Sequence, residues 1–297
     1  MRSPRFVPSR ILVFPASAAQ GETVGDPALK YDMLLSRLRN LASVLVAYSG
    51  GTDSTLLAFA GHAVLGDRVL AALALSDMFP MSEVEAARTT ARQLNLRMVE
   101  VETYELADPR FRANDNDRCY HCKAELFSLL RTVADSKGMR WVVDGSNVDD
   151  LADHRPGRRA AREYNVVSPL QDVGMNKGDV REISRMLGLP TAEKPSMACL
   201  ASRFPYGQAI TEDVLQRVTS AEDNVRSLGF HQFRVRAHGE VARLEVDPGE
   251  MQRAWEMRVE LAAAMRGAGF TYVTQDLEGY RTGSLNEVLP SAERCQS

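Results

Sequence analysis

The tightest constraint this sequence places on its own fold is an apolar run that ends in small polar residues. Residues 43–49, SVLVAYS, lead directly into Gly50, Gly51, Thr52, Asp53 and Ser54. Residues 54–66, STLLAFAGHAVLG, then continue with helical character to a closing glycine, Gly66. A strand that turns through glycines into a helix leaves the first N–H groups of that helix unpaired, at the positive end of its dipole. Gly50 and Gly51 let the backbone approach a ligand closely, and the hydroxyls of Ser49, Thr52 and Ser54 add donors. Asp53 cannot greet an anion directly; it is suited to capping backbone N–H groups or to holding Mg²⁺. An ordinary capped turn has the same glycines, so the glycines alone leave both readings open.

The surrounding pattern predicts the architecture. Residues 31–41 carry apolar side chains at helical spacing. RVLAALALS (68–76) is a continuous apolar run, the form of a strand buried on both faces. Val84, Ala87, Ala91 and Leu94 share one helical face, and RMVEVE (97–102) reads as a third strand. A helix is expected from about Ala124 to Lys137, with WVVDGS (141–146) and VVSPL (166–170) as strands four and five. Strands alternating with helices predict an α/β fold with a doubly wound parallel sheet. After about Gly207 the pattern changes. A helix from Thr211 to Leu228 ends at Gly229, and FRVRAHGEVARLEV (233–246) alternates with period two around a turn at His238–Gly239. A helix from about Gly249 to Arg266 and the strand TYVTQDL (271–277) complete a smaller C-terminal α+β domain. The expected units are therefore a disordered tail over 1–27, a first domain over 28–207 and a second over 208–290.

No apolar stretch approaches the ~20 residues that span a bilayer. The N-terminus loosely imitates a signal peptide, but its apolar core from Ile11 to Phe14 is brief and Pro15 interrupts it, so a cytoplasmic location is expected. A net charge of −3 argues against a general nucleic-acid or membrane binder. Four cysteines in 297 residues do not make a disulfide scaffold. DRCYHCK holds Cys119 and Cys122, KPSMACLASRFPYG holds Cys199, and Cys295 lies in the tail. A CxxC pair alone is compatible with redox chemistry, with half a zinc site completed by His121 or His154, with part of an iron–sulfur site, or with two plain structural cysteines.

The loop lacks the Walker and dinucleotide-binding glycine patterns. Ser49-Gly50-Gly51-Thr52-Asp53-Ser54 instead resembles the S-G-G-x-D-S signature of PP-loop ATP pyrophosphatases, which split ATP into AMP and pyrophosphate. The resemblance implies that Ser49, Gly50, Gly51, Asp53 and Ser54 grip pyrophosphate. Further stretches, among them RCYHCKAELF, DGSNVDD, DHRPGRRAAREYNVVSPL, KPSMACLASRFPYG, RVRAHGEVARLEV and DLEGYRTGS, resemble the LarE family of ATP-dependent sulfur transferases. That family builds the nickel-pincer nucleotide cofactor of lactate racemase. The resemblance covers roughly Tyr31 to Glu287. It implies ATP and Mg²⁺ as cofactors, and a pyridinium mononucleotide substrate whose two ring carboxylates become thiocarboxylates. It also implies a homo-oligomer, with a hexamer as one form, and no nucleic-acid or membrane partner. One branch of the family sacrifices the cysteine matching Cys199 and leaves dehydroalanine; another holds a [4Fe–4S] cluster on three cysteines. Cysteines at 119, 122 and 199 favour the cluster reading.

Arg234 and Arg236 share one strand face, as do Arg243 and Glu245 on the next. A solvated sheet face has the same pattern. Guanidinium groups nevertheless pair bidentately with phosphate and carboxylate, and the resemblance tilts the reading to substrate binding, with Arg203 and Arg281 as further candidates. Asp144, Asn147 and Asp150 are candidate Mg²⁺ or nucleotide contacts or helix caps, and Lys177 and Lys194 are candidates to steady AMP or pyrophosphate. The rival readings are a tRNA-thiolating PP-loop enzyme, an amide-forming synthetase and a non-enzymatic metal or cofactor carrier.

Overall fold

The computed structural model describes residues 26–151, 156–195, 198–281 and 283–288; the tail over 1–25, His154 and Cys295 lie outside them. Helix α1 (Pro27–Leu41) starts at Asp26, whose carboxylate accepts from the Ala28 N–H, and leads into strand β1 (Val44–Tyr48). Helix α2 (Thr52–Leu65) follows the glycine loop and is succeeded by β2 (Val69–Leu75), α3 (Met81–Gln93) and β3 (Met98–Glu102). Then come α4 (Pro109–Arg112), α5 (Arg118–Ser136) and β4 (Trp141–Val143), followed by α6 (Gly157–Glu163), α7 (Pro169–Asp172) and α8 (Lys177–Met186). The four strands are parallel, in the order β3-β2-β1-β4.

The unbroken apolar runs are explained by this sheet. Val44, Val46 and Tyr48 face a core shared with α1, α2, α3 and α8, whereas Leu45 faces a second core with α5 and α6. Val69, Ala71 and Leu73 divide from Leu70 and Ala72 in the same way. Both faces are covered, so every residue of the run is apolar. The chain is thus an α/β protein with a parallel sheet wrapped by helices, as expected.

The VVSPL segment departs from expectation. Its single bridge, Val167 beside Val143, does not extend into a fifth strand, because Pro169 lacks the N–H a ladder needs and instead opens α7. Helix α5 also begins at Arg118 rather than near Ala124, so both CxxC cysteines lie in its first turns.

The remaining elements form a second, smaller sheet. Helix α9 (Glu212–Ser227) is capped by Thr211 and followed by β5 (Phe233–His238) and β6 (Val241–Val246), then α10 (Met251–Glu256), α11 (Arg258–Gly267) and β7 (Tyr272–Gln275). The helix expected over 249–266 is interrupted at Met257, giving α10 and α11. β5 and β6 form the expected antiparallel hairpin, and β7 adds parallel to β6. Val235, Ala237, Ala242, Leu244 and Val246 join one buried core with α9 and α11. Met78 and Phe111 from the first part of the chain pack into that same core. Among the described residues no helix is long and apolar enough to cross a membrane.

Candidate active site

β1 is where the strand order reverses, β2 and β3 lying to one side and β4 to the other. Ligands of open parallel sheets bind in the crevice at the carboxyl ends of strands at such a point. The glycine loop lies at the carboxyl end of β1. Gly50 has φ +69°, and a Cβ on it would stand 2.5 Å from the Cβ of Ala87 on α3. Only glycine fits there. Gly51 is the N-cap of α2 and supplies no side-chain cap, leaving the first turn open to an external acceptor. The Ser49 N–H donates to Ser54 Oγ at 3.2 Å, and the two serine hydroxyls lie 3.1 Å apart. From the carboxyl end of β4, Gly145 approaches so closely that a Cβ would stand 3.0 Å from the Ser54 nitrogen.

Both candidate lysines come to this loop. Lys177 Nζ donates to Asp53 Oδ2 at 3.1 Å, and Asn147 Nδ2 donates to Asp53 Oδ1 at 3.0 Å. Lys194 Nζ donates to the Gly50 carbonyl at 3.1 Å and pairs with Glu83 at 2.8 Å. Asp150 Oδ2 accepts from the Asn147 N–H, and Asp144 accepts from the hydroxyls of Ser146 and Ser168 at 2.7 Å each. Asp144 and Asp150 thereby order the loop after β4, while Asn147 reaches the glycine loop directly. The arrangement presents small donors and two cations at one helix start, which suits a polyphosphate with a divalent ion near Asp53.

One segment joins this loop to the cysteines. The Thr52 hydroxyl donates to the Thr191 carbonyl at 2.9 Å, Lys194 reaches Gly50, and the chain continues to Cys199. There Arg203 takes over. Its Nη1 donates to the carbonyls of Ala198 (2.9 Å) and Cys199 (3.3 Å), and its Nε and Nη2 grip the buried Glu222. The Leu200 N–H donates to the Met78 carbonyl at 2.9 Å.

The three thiols lie within electrostatic reach of one another. Burial pushes Cys119 up, and charge on Cys199 adds to this; the Arg118 guanidinium and Lys123 pull it back. Cys119 is exposed to solvent as a residue, yet desolvation is still the largest influence on its thiol. Cys122 is pushed well above the usual thiol range by burial, then by Glu105, Cys199 and Cys119. Its Sγ donates to Glu105 Oε1 at 3.7 Å. Glu105 is buried and held by the hydroxyls of Ser76 (2.9 Å) and Thr103 (3.1 Å).

Thiols that resist ionisation when empty become thiolates once a metal compensates the charge. Among the described residues no three His, Cys, Asp or Glu side chains are gathered as ligands of a single metal ion. The thiolates of a cubane bind different irons and therefore stand farther apart than ligands of one ion. Cys119 and Cys122 lie in the first turns of α5, near its positive dipole end, and Cys122 and Cys199 pack against the same core, a thiol donor set of the kind such a group takes.

Arg234 and Arg236 of the second sheet are buried rather than solvated, whereas Arg243 is part-exposed. Arg236 and Glu245 form an ion pair with almost no exposure on either side, and Arg236 also donates to the Ser202 carbonyl (2.8 Å) and the Ser284 hydroxyl (2.7 Å). Arg243 shares Glu245 at 2.9 Å and lies 3.6 Å from Asp276. Arg281 pairs with Glu278 and Glu287. Arg234 differs. It stacks on the Tyr280 ring at 4.6 Å and donates to its hydroxyl, with no carboxylate partner among the described residues. Burial lowers its pKa, and the neighbouring charges of Arg203 and Arg236 lower it further. It is a cation in need of an anion, close to the segment that holds Cys199. Glu105, Glu222, Arg118 and Tyr280 escaped the sequence reading, since single Glu, Arg and Tyr residues carry no motif; only the adjacency of Arg118 to Cys119 was a signal.

No protein-family model matches the chain. It is 44% identical over 266 residues to an uncharacterized protein of Synechocystis sp., covering 86% of this chain and 99% of that one. It is 36% identical over 267 residues to pyridinium-3,5-bisthiocarboxylic acid mononucleotide synthase of Lactiplantibacillus plantarum, covering 90% and 97%. A more distant similarity, 23% over 225 residues, links it to a glutamine-hydrolyzing GMP synthase chain of Methanopyrus kandleri, covering 71% and 67%.

Proposed function

The chain belongs to the LarE family of pyridinium-3,5-bisthiocarboxylic acid mononucleotide synthases, and on that premise we propose that it is an ATP-dependent sulfur transferase forming AMP and pyrophosphate. Its substrate in this reading is a pyridinium mononucleotide bearing two ring carboxylates, each converted to a thiocarboxylate. The observation that supports the proposal is that Thr191 and Lys194 bond the glycine loop while Cys199, five residues after Lys194, is held by Arg203 through its carbonyl.

A carboxylate is a poor acyl donor. Its oxygen attacks the α-phosphorus of ATP, the bond to the bridging oxygen breaks, and pyrophosphate leaves with the electron pair. Ser49, Gly50, Gly51 and Ser54 hold that pyrophosphate, Asp53 holds Mg²⁺, and Lys177 and Lys194 exchange their present partners for phosphate oxygens. A sulfur nucleophile then attacks the acyl carbon, and AMP departs. Arg234 takes an anionic group of the substrate with its remaining donors, while Arg203, Arg236, Arg243, Glu245 and Arg281 shape the surrounding charge. Cys119, Cys122 and Cys199 hold a [4Fe–4S] cluster in this reading; when bound, with one iron lacking a protein ligand, it supplies a sulfide. The chain works as a cytoplasmic homo-oligomer, with residues 28–207 binding ATP and residues 208–290 serving substrate binding and assembly.

Anaerobic purification with iron and acid-labile sulfide measured per chain tests this. About four irons and at least four sulfides, lost in Cys119→Ala, Cys122→Ala and Cys199→Ala alike, are expected. An iron-free chain whose Cys199 becomes dehydroalanine after ATP and substrate would replace the cluster with the sacrificial route.

A further inference from the structure

Four arginines are buried among the described residues, and two of them, Arg203 and Arg236, are neutralised by Glu222 and Glu245. Arg118 is only 3% exposed and has no carboxylate partner among the described residues. It donates to the amide oxygen of Asn114 and lies 4.9 Å from the centre of the Tyr206 ring, both neutral. Asn114 is itself fully buried, and its own amide donates to the carbonyls of Pro205 (2.8 Å) and Gln208 (2.9 Å), which turns its oxygen toward Arg118. The Arg118 Nε is buried without a hydrogen-bond partner among the described residues. A guanidinium so deeply enclosed and so incompletely paired is costly unless negative charge arrives from elsewhere. The neighbouring group able to carry that charge is the sulfur of Cys119, the next residue in the first turn of α5, whose ionised form the Arg118 charge favours.

We infer that Arg118 is the built-in counter-ion of the cysteine group, a positioning residue whose buried charge is completed only when the three sulfurs carry an anionic iron–sulfur load. The inference rests on the cluster reading above. It also explains an asymmetry: Cys119 adjoins a cation and Cys122 a carboxylate, so the favourable charge enters the site from the Cys119 side.

The test compares the full-length protein with Arg118→Met and Arg118→Lys, each reconstituted anaerobically with ferrous iron and sulfide. Iron and sulfide per chain, the cluster's reduction midpoint and the melting temperature of the iron-free forms are measured. Arg118→Met is expected to retain several-fold less iron, and its remaining cluster to have a more negative midpoint, because a cation that favours the reduced state is gone. Its iron-free form is expected to melt at or above the wild type, since an unpaired buried charge has been removed. Arg118→Lys should recover most of the iron. Wild-type iron content and midpoint in Arg118→Met would overturn the inference alone, as would an iron-free Arg118→Met that melts well below the wild type. A wild-type chain that takes up no iron would overturn the cluster reading and this inference with it.

Discussion

The glycine loop and the arginine face of the second sheet both suit anions, and they are prepared in opposite ways. The loop is prepared by conformation: Gly50 at φ +69° lies against Ala87, small hydroxyls sit beside a helix start, and its two lysines are only partly buried. The arginine face is prepared by charge: Arg236 and Glu245 are paired in the interior, the part-exposed Arg243 shares that carboxylate, and Arg234 has no carboxylate partner among the described residues. A backbone cradle keeps its donors free for any phosphate, whereas paired arginines use theirs internally and leave selectivity to the cation that remains unpaired.

The largest effect expected from breaking this contrast is at Gly50. Gly50→Ala drives a Cβ into α3, and a displacement of about 1 Å at the loop should slow ATP–pyrophosphate exchange by about 100-fold while iron content stays at the wild-type level. Normal exchange would show that the loop does not grip pyrophosphate. Next comes Arg236→Met, which leaves the buried Glu245 with the part-exposed Arg243 as its remaining cation and should cost about 2–3 kcal/mol in denaturant unfolding. Adding Glu245→Leu should restore much of that loss; no restoration would mean that packing rather than charge decides the face. Arg234→Met should change stability by less than about 1 kcal/mol, because no charge partner is orphaned, yet raise the KM for the mononucleotide about tenfold. An unchanged KM would remove Arg234 from the substrate site.

The smallest effect concerns His238, at the end of β5. Burial and the charges of Arg243 and Arg236 hold its pKa below 6.5, so the folded state binds fewer protons than the unfolded chain. Stability should therefore fall gently as pH drops through 6.5. His238→Gln should flatten that slope, and an identical slope in the variant would place its origin elsewhere.

Much of the first sheet was legible because β1 and β2 are buried on both faces and announce themselves as unbroken apolar runs. The VVSPL segment misled because β-branched residues signal a strand, while the single proline after them governs the backbone. The true start of α5 is hidden in the sequence, since RCYHCK has no apolar periodicity and its helix is secured by packing against α6. The arginines of β5 share a face, as their spacing requires. What covers that face was invisible, because Ser202, Tyr280 and Ser284 come from segments far along the chain.

By itself, the sequence determined the alternation of strand and helix, the glycine loop and the identity of the cysteines, because these depend on residues adjacent in the chain. Only the tertiary structure decided that Lys177 and Lys194 reach the loop, that Cys122 and Cys199 pack against one core, and which buried arginines are neutralised. Those outcomes depend on which distant side chains share a low-dielectric interior, and the presence of a buried carboxylate partner there, rather than residue type or burial alone, determines whether a charge is committed to the fold.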